Sequence, residues 1–173
     1  APRAAALPGA DDLAAARQMS PEERAAMIES MVKRLAARMA ESPDDLEGWL
    51  RLGRAYSVLE ERDKAIDAFA RAAAQAPENL EVLVDYAHAL MKTVPQGGAL
   101  PERLVDVMRE IEALDPRQPD ALWFLGVADA QAGRKEAAAA RWRRLLTLMP
   151  PDSQAHTLVA RELAELEAQP TPP

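Results

Sequence analysis

Four prolines recur along this chain at nearly equal intervals. Pro43, Pro77, Pro116 and Pro150 are separated by 34, 39 and 34 residues, and each of the last three follows a segment with a helical pattern that it would terminate. A period of this length is typical of proteins in which one small helical unit is repeated and stacked. The spacing therefore predicts a solenoid of helical hairpins, because a single hairpin cannot bury its own apolar face.

Residues 46–79 show the repeat most clearly. The first predicted helix has large and small apolar positions at i, i+3, i+4 and i+7, and the second has matching ones: Trp49, Leu52, Gly53, Tyr56, Ala65, Phe69 and Ala72, followed by Pro77. Small residues let two antiparallel helices approach closely, and a large one fills the gap in the next layer. The polar run 60–63 predicts the short turn between them. The pattern resembles the tetratricopeptide (TPR) family at each of its usual positions.

The predicted architecture is all-α: a TPR solenoid of three helical hairpins with an N-terminal and a C-terminal capping helix. Ser20, Pro21 and Glu23 form a capping signal for the first helix. The second repeat is five residues longer than the first, and we place the extra residues in a turn at 94–101. The expected boundaries are a flexible linker at 1–19, an N-terminal helix at 20–41, repeats at about 46–79, 80–117 and 119–151, a C-terminal helix at 152–168 and a disordered tail at 169–173.

Charge and composition argue against several functional classes. The chain has 28 acidic and 21 basic residues, for a net charge of −7, which disfavours binding along nucleic-acid phosphates. It has no cysteine, which excludes disulfides and thiolate metal sites. Catalysis and cofactors are not expected, since the chain lacks a glycine-rich phosphate loop and a Ser/His/Asp arrangement. His88 and His156 are the two histidines, and their separation predicts a structural or groove-lining role rather than a haem or metal site.

Four longer segments make the resemblance more specific: Met19–Leu59, the GGALPERL turn at 97–104, LDPRQPDALWFLG at 114–126, and ARWRRLL at 140–146. Together they are similar to the periplasmic TPR domain of bacterial cytochrome c maturation proteins of the CcmI/CycH type, over about residues 19–167. The resemblance implies a protein-binding module of the haem-ligation machinery, an apocytochrome chaperone that holds apocytochrome c through its C-terminal helix and works with other haem-ligation subunits.

The resemblance also implies a periplasmic domain tethered to the inner membrane by segments preceding Ala1. No apolar run in the given sequence approaches the roughly 18 residues that a membrane-spanning helix needs. The alternative function is a generic TPR scaffold that organises an envelope or secretion complex through protein contacts, because a TPR fold alone does not name a partner.

The TPR register predicts which residues line a concave groove. These lie on the first helix of each hairpin: Glu47, Leu50, Arg54 and Ser57; Glu81, Val84, His88 and Met91; Asp120, Trp123, Val127 and Ala130. We expect peptide contacts from Leu50, Arg54, Val84, His88, Met91, Trp123 and Val127, with the apolar members forming a floor. Arg54 is either a bidentate anchor for a partner's carboxylate or the ion-pair partner of a nearby acid such as Glu47 or Glu81.

Two further groups of residues leave alternatives open. Met27, Met31 and Met39 either pack on the first hairpin as core or offer an adaptable docking face. Arg141, Arg143 and Arg144 either form a basic patch or are the solvated side of the helix that carries Trp142; we favour the solvated side.

Overall fold

A computed structural model describes residues 20–95 and 98–168. Within that part the chain forms eight α-helices: α1 Pro21–Glu41, α2 Leu46–Val58, α3 Arg62–Gln75, α4 Leu80–Met91, α5 Glu102–Leu114, α6 Pro119–Gln131, α7 Lys135–Leu148 and α8 Gln154–Ala168. The predicted linker, the predicted tail and residues 96–97 of the long turn lie outside the described residues. No helix of the described ranges is long and apolar enough to cross a membrane.

The helices pack mainly on their neighbours in the chain, as a stacked array requires. The most extensive contacts join α2 to α3 and α6 to α7, which are the first and third predicted hairpins. The second hairpin, α4 and α5, packs less extensively, and a cleft of about 470 Å³ opens between α3, α4 and α5. This looser hairpin is the degenerate repeat with the long turn. The TPR solenoid of three hairpins and two terminal helices is confirmed.

The helix starts follow from local capping. The Ser20 hydroxyl accepts a hydrogen bond from the Glu23 N–H (3.2 Å), and the Glu23 carboxylate accepts one from the Ser20 N–H (2.8 Å), which completes the predicted capping box. Asp45 and Asn79 cap α2 and α4 through their side chains. Ser153 accepts a hydrogen bond from the His156 N–H, so α8 begins at Gln154, two residues later than predicted.

Each well-packed hairpin depends on a glycine opposite an aromatic ring. A Cβ atom on Gly53 would lie 2.8 Å from the Phe69 ring, and one on Gly126 would meet the Trp142 indole. A methyl group at either position would require the ring to shift, so each glycine makes room for the aromatic side chain that packs between the two helices of its hairpin. The turn between α2 and α3 is shorter than the predicted turn at 60–63. Helix α3 already begins at Arg62, because Glu60 (φ 58°) reverses the chain in a left-handed conformation.

The terminal helices cover the ends of the stack to different extents. Val32 and Met39 on α1 are buried in the core that runs through the first two hairpins, whereas Met31 is 53% exposed. The methionines are therefore divided between the two alternatives: Met39 is core, whereas Met31 is not. At the other end, α8 buries Val159, Leu163 and Leu166 against the cluster around Trp142.

Candidate peptide-binding groove

An arginine–carboxylate ion pair and a histidine–carboxylate contact join the first helices of neighbouring hairpins. Arg54 on α2 donates to the Asp85 carboxylate on α4 from Nη2 (2.8 Å) and Nε (3.3 Å), and its Nη2 lies 3.8 Å from Glu81. His88 Nε2 on α4 lies 3.3 Å from the Asp120 carboxylate on α6. Arg54 and His88 are 34 residues apart and occupy equivalent positions. We call these contacts the ion-pair ladder; it links four of the groove positions that the register assigns, Arg54, Glu81, His88 and Asp120, across successive repeats.

The structure favours the ion-pair interpretation of Arg54. Its main partner is Asp85, which the sequence interpretation overlooked, and Glu81 is a more distant second partner. The hydrogen bond to Asp85, and then the charge of that carboxylate, raise the pKa of Arg54 above its ordinary value. A partner's carboxylate would have to compete with Asp85 for this guanidinium. One signal was available, since Asp85 follows Glu81 by one helical turn and therefore shares its face.

The predicted apolar residues differ in how accessible they are. Leu50 is only 7% exposed and belongs to the core of the first two hairpins, so it offers almost no surface to a ligand. Val84 and Met91 on α4 are half-buried, as are Trp123 and Val127 on α6. These four residues form the accessible apolar part of the predicted groove, and we call them the apolar strip.

Trp123 is the largest member of the apolar strip, and the core holds it in place. Its ring stacks on that of Trp142 with centroids 5.7 Å apart and an interplanar angle of 26°. Trp142 is buried against α8 residues, and its indole N–H points to the Trp123 carbonyl at 3.4 Å. Trp123 is therefore a half-buried ring on a rigid support, which is how an aromatic anchor contributes area at little entropic cost.

Neither histidine lies in a metal-binding cluster. His88 pairs with Asp120, and His156 lies on α8. In the ranges 20–95 and 98–168, no group of three or more histidine or acidic residues could hold a metal ion. The geometry of His88 is that of one rung of the ion-pair ladder.

Arg141 is not part of a solvated surface, contrary to the expectation for the cluster 141–144. Its guanidinium donates to both Glu112 oxygens on α5 (3.1 and 2.9 Å) and to Asp129 on α6. Asp129 is 7% exposed and also accepts from Arg134 at 2.8 Å. The hydrogen bond to Glu112 is the main reason that the pKa of Arg141 is raised. The network thus joins α5, α6 and α7. Asp129 occupies the position that Tyr56 has in the first repeat, and its buried carboxylate requires cationic partners.

The family described as "Cytochrome c-type biogenesis protein H TPR domain" matches residues 13–156, which is most of the chain. This chain belongs to that TPR family of cytochrome c biogenesis proteins. The predicted resemblance is therefore confirmed, and membership of a TPR family agrees with the stacked hairpins.

Curated relatives of this biogenesis family match with moderate identity. A "Cytochrome c-type biogenesis protein CycH" of Pseudomonas aeruginosa is 33% identical over 154 residues, covering 84% of this chain and 37% of that protein. The CycH of Bradyrhizobium diazoefficiens is 52% identical over 58 residues, covering 34% of this chain and 16% of that protein. "Cytochrome c-type biogenesis protein CcmH" of Escherichia coli is 27% identical over 132 residues, covering 76% and 37%. The chain thus spans well under half the length of these relatives.

Solved structures share the fold of this biogenesis-family domain. A crystal structure of MamA superposes with a TM-score of 0.57 at 16% identity, covering 86% of this chain and 88% of that one. The first TPR domain of Spaghetti (RPAP3), solved with the HSP90 peptide SRMEEVD, gives a TM-score of 0.54 at 20% identity, covering 72% and 94%. At these identities the likeness concerns the fold alone.

Proposed function

We propose that this domain holds apocytochrome c during cytochrome c maturation by binding the C-terminal helix of that protein in its groove. Membership of a cytochrome c biogenesis TPR family supports a protein-binding role in the maturation pathway. The observation that carries the finer proposal is the apolar strip: four half-buried side chains on α4 and α6, beside the ion-pair ladder. An amphipathic helix binds such a surface through side chains at i, i+3, i+4 and i+7.

The energetics fit a reversible holding role. Full burial of a leucine-sized side chain contributes about 1.5–3 kcal/mol, and a helix over the apolar strip would bury several. Association and ordering cost about 4–15 kcal/mol, so a micromolar to nanomolar complex results, which can form and later release its cargo. The domain performs no chemistry in this role. We place it in the periplasm, anchored to the inner membrane through another part of the protein and beside other haem-ligation subunits.

The test is a calorimetric titration of the chain with a synthetic peptide of an apocytochrome c C-terminal helix. A scrambled peptide of equal charge controls for nonspecific attraction. The variant Val84→Ser plus Val127→Ser removes two half-buried contacts, each about 1 kcal/mol, and should weaken binding about tenfold to thirtyfold. Leu114→Ser is the matched control, since Leu114 is 42% exposed on α5, outside the groove register.

Leu50→Ala is unsuitable for this test, because Leu50 is buried in the core and its truncation would perturb folding. Circular dichroism must show that both serine variants keep the wild-type helix content and melting temperature within a few degrees. Equal affinity for the apocytochrome peptide and its scrambled form would contradict the proposed function and favour the generic scaffold.

A further inference from the structure

The predicted groove positions carry more acidic than basic side chains, and this excess of negative charge affects which kind of helix the groove can bind. Carboxylates recur at one equivalent position, the second residue of each first helix: Glu47 on α2, Glu81 on α4 and Asp120 on α6. We call these three residues the acidic row. Among the groove positions that the register assigns, these three carboxylates face one guanidinium, that of Arg54, for a formal −2 when His88 is neutral; Asp85, beside these positions, is a fourth carboxylate and pairs with Arg54.

The ion-pair ladder does not cancel this charge. Arg54 is the only arginine or lysine among the groove positions that the TPR register assigns, and Asp85 already takes its best hydrogen bonds. The Glu81 side chain is 83% exposed, and its nearest carboxylate oxygen lies no closer than 3.8 Å to Arg54 Nη2. The acidic row therefore keeps a net negative charge. It runs alongside the apolar strip, because the row lies on α2, α4 and α6 and the strip lies on α4 and α6.

From this arrangement we infer that the groove selects an amphipathic helix whose apolar face lies on the apolar strip and whose flank carries lysine or arginine over the acidic row. This inference rests on the proposed function, since it specifies the chemistry of the segment that the same groove holds. Neighbouring first helices, which the ion-pair ladder joins through side chains, are separated by roughly one helix diameter, about 10–12 Å, and a bound helix rises about 1.5 Å per residue. Cations about seven residues apart, on one side of that helix, would face successive members of the row.

A simpler role for the acidic row must be separated from recognition. Acidic residues in the first turn stabilise a helix through its dipole, and the second helices α3 and α5 carry them too, at Asp63 and Glu102. These two residues have the same local role but lie outside the groove register. They are therefore matched controls for the acidic row.

The test uses two designed peptides of about twenty residues with the same leucine pattern, one with lysine and one with glutamate at the flanking positions seven residues apart. Calorimetry measures the affinity of each for the chain at low and high salt, with the apocytochrome c peptide alongside. We expect the lysine peptide to bind at least tenfold more tightly at low salt. That advantage should shrink as the Debye length falls from about 10 Å at 0.1 M to about 3 Å at 1 M.

Charge-neutral variants locate the effect. Glu47→Gln plus Glu81→Gln should weaken the lysine peptide about threefold to tenfold, the range expected for two exposed charge pairs, and leave the glutamate peptide unchanged or slightly tighter. Asp63→Asn plus Glu102→Gln should change neither affinity.

Equal binding of the two designed peptides, or equal losses from both double variants, would overturn the inference. If the apocytochrome peptide still binds in that case, the proposed function survives alone. If no peptide binds, both the proposed function and this inference are wrong.

Discussion

Removing the carboxylate of Asp129 tests how the third hairpin is joined to the second. Asp129→Ala deletes the hydrogen bonds from Arg141 and Arg134. A hydrogen bond to a charged group contributes about 1.5–3 kcal/mol net, and we apply this range to Arg141, whose side chain is 27% exposed. The Arg134 pair contributes less than about 1 kcal/mol, because half of the Arg134 side chain is exposed.

The expected loss for Asp129→Ala is about 2–3 kcal/mol, because Arg141 keeps its two hydrogen bonds to Glu112 and is not left alone. Arg141→Ala should cost more, about 3–4 kcal/mol, since it leaves Glu112 without this partner and Asp129 with Arg134 alone. For a domain of this size, about 2–4 °C of melting temperature corresponds to 1 kcal/mol. Asp129→Ala should therefore melt about 4–12 °C below the wild type.

Urea unfolding followed by circular dichroism measures these losses, and the double variant closes a mutant cycle. Contacting residues should show a coupling energy of about 1–2 kcal/mol. Arg143→Ala is the control on the same helix, because Arg143 is 61% exposed where it pairs with Glu167, and its loss should be under about 1 kcal/mol. If Asp129→Ala destabilises no more than Arg143→Ala, or if the coupling energy is zero, the three-helix network does not stabilise the fold.

Two other perturbations test the hairpins themselves. Glu60→Gly should stabilise the domain by about 0.5–1 kcal/mol, because Glu60 has a left-handed φ of 58° that glycine adopts freely. Gly133→Ala at the equivalent turn should destabilise the domain by about 1 kcal/mol, because Gly133 has a φ of 74° although no atom lies within 4 Å of an added Cβ. Thermal melts should show changes of opposite sign for the two variants, and changes of the same sign would contradict this reasoning. Gly53→Ala should lower the free energy of unfolding in urea by about 1–2 kcal/mol, because it forces a methyl group onto the Phe69 ring. Adding Phe69→Leu to that variant should recover part of the loss. If the effects of the two substitutions are simply additive, the ring is not the obstacle.

Most of the fold could be predicted from the sequence because it depends on local signals repeated in register. The proline period, the capping box at Ser20 and the pairing of Gly53 with Phe69 each act within one hairpin, so one repeat carries enough information. Boundaries differed at Glu60, whose left-handed conformation shortens the turn, and at Ser153, whose cap starts α8 later than predicted.

The contacts between repeats were harder to predict. The partner of Arg54 depends on how α4 is placed beside α2, and a sequence pattern gives the face of a residue without the offset between hairpins. For the same reason Leu50, which the register assigns to the groove, is buried in the core. Asp129 did carry a usable signal: an acid at a position that packs in the first repeat requires a cation within reach, and Arg134 and Arg141 were the candidates.

Residues at equivalent positions of the three repeats can be compared. Some differences between repeats are explained by contacts inside the fold, and others bear on how a ligand binds. Where Tyr56 becomes Asp129, the change is compensated inside the fold by Arg141, and so it needs no ligand to explain it. The position of Arg54 in the first repeat is occupied by His88 in the second and by Val127 in the third. An apolar residue in the third repeat is consistent with the end of the ion-pair ladder there. His88 finds Asp120 in the first turn of the next helix, but α8 has no acid in its first turn. A cation at 127 would lack that partner, and an apolar residue instead extends the apolar strip to the end of the groove.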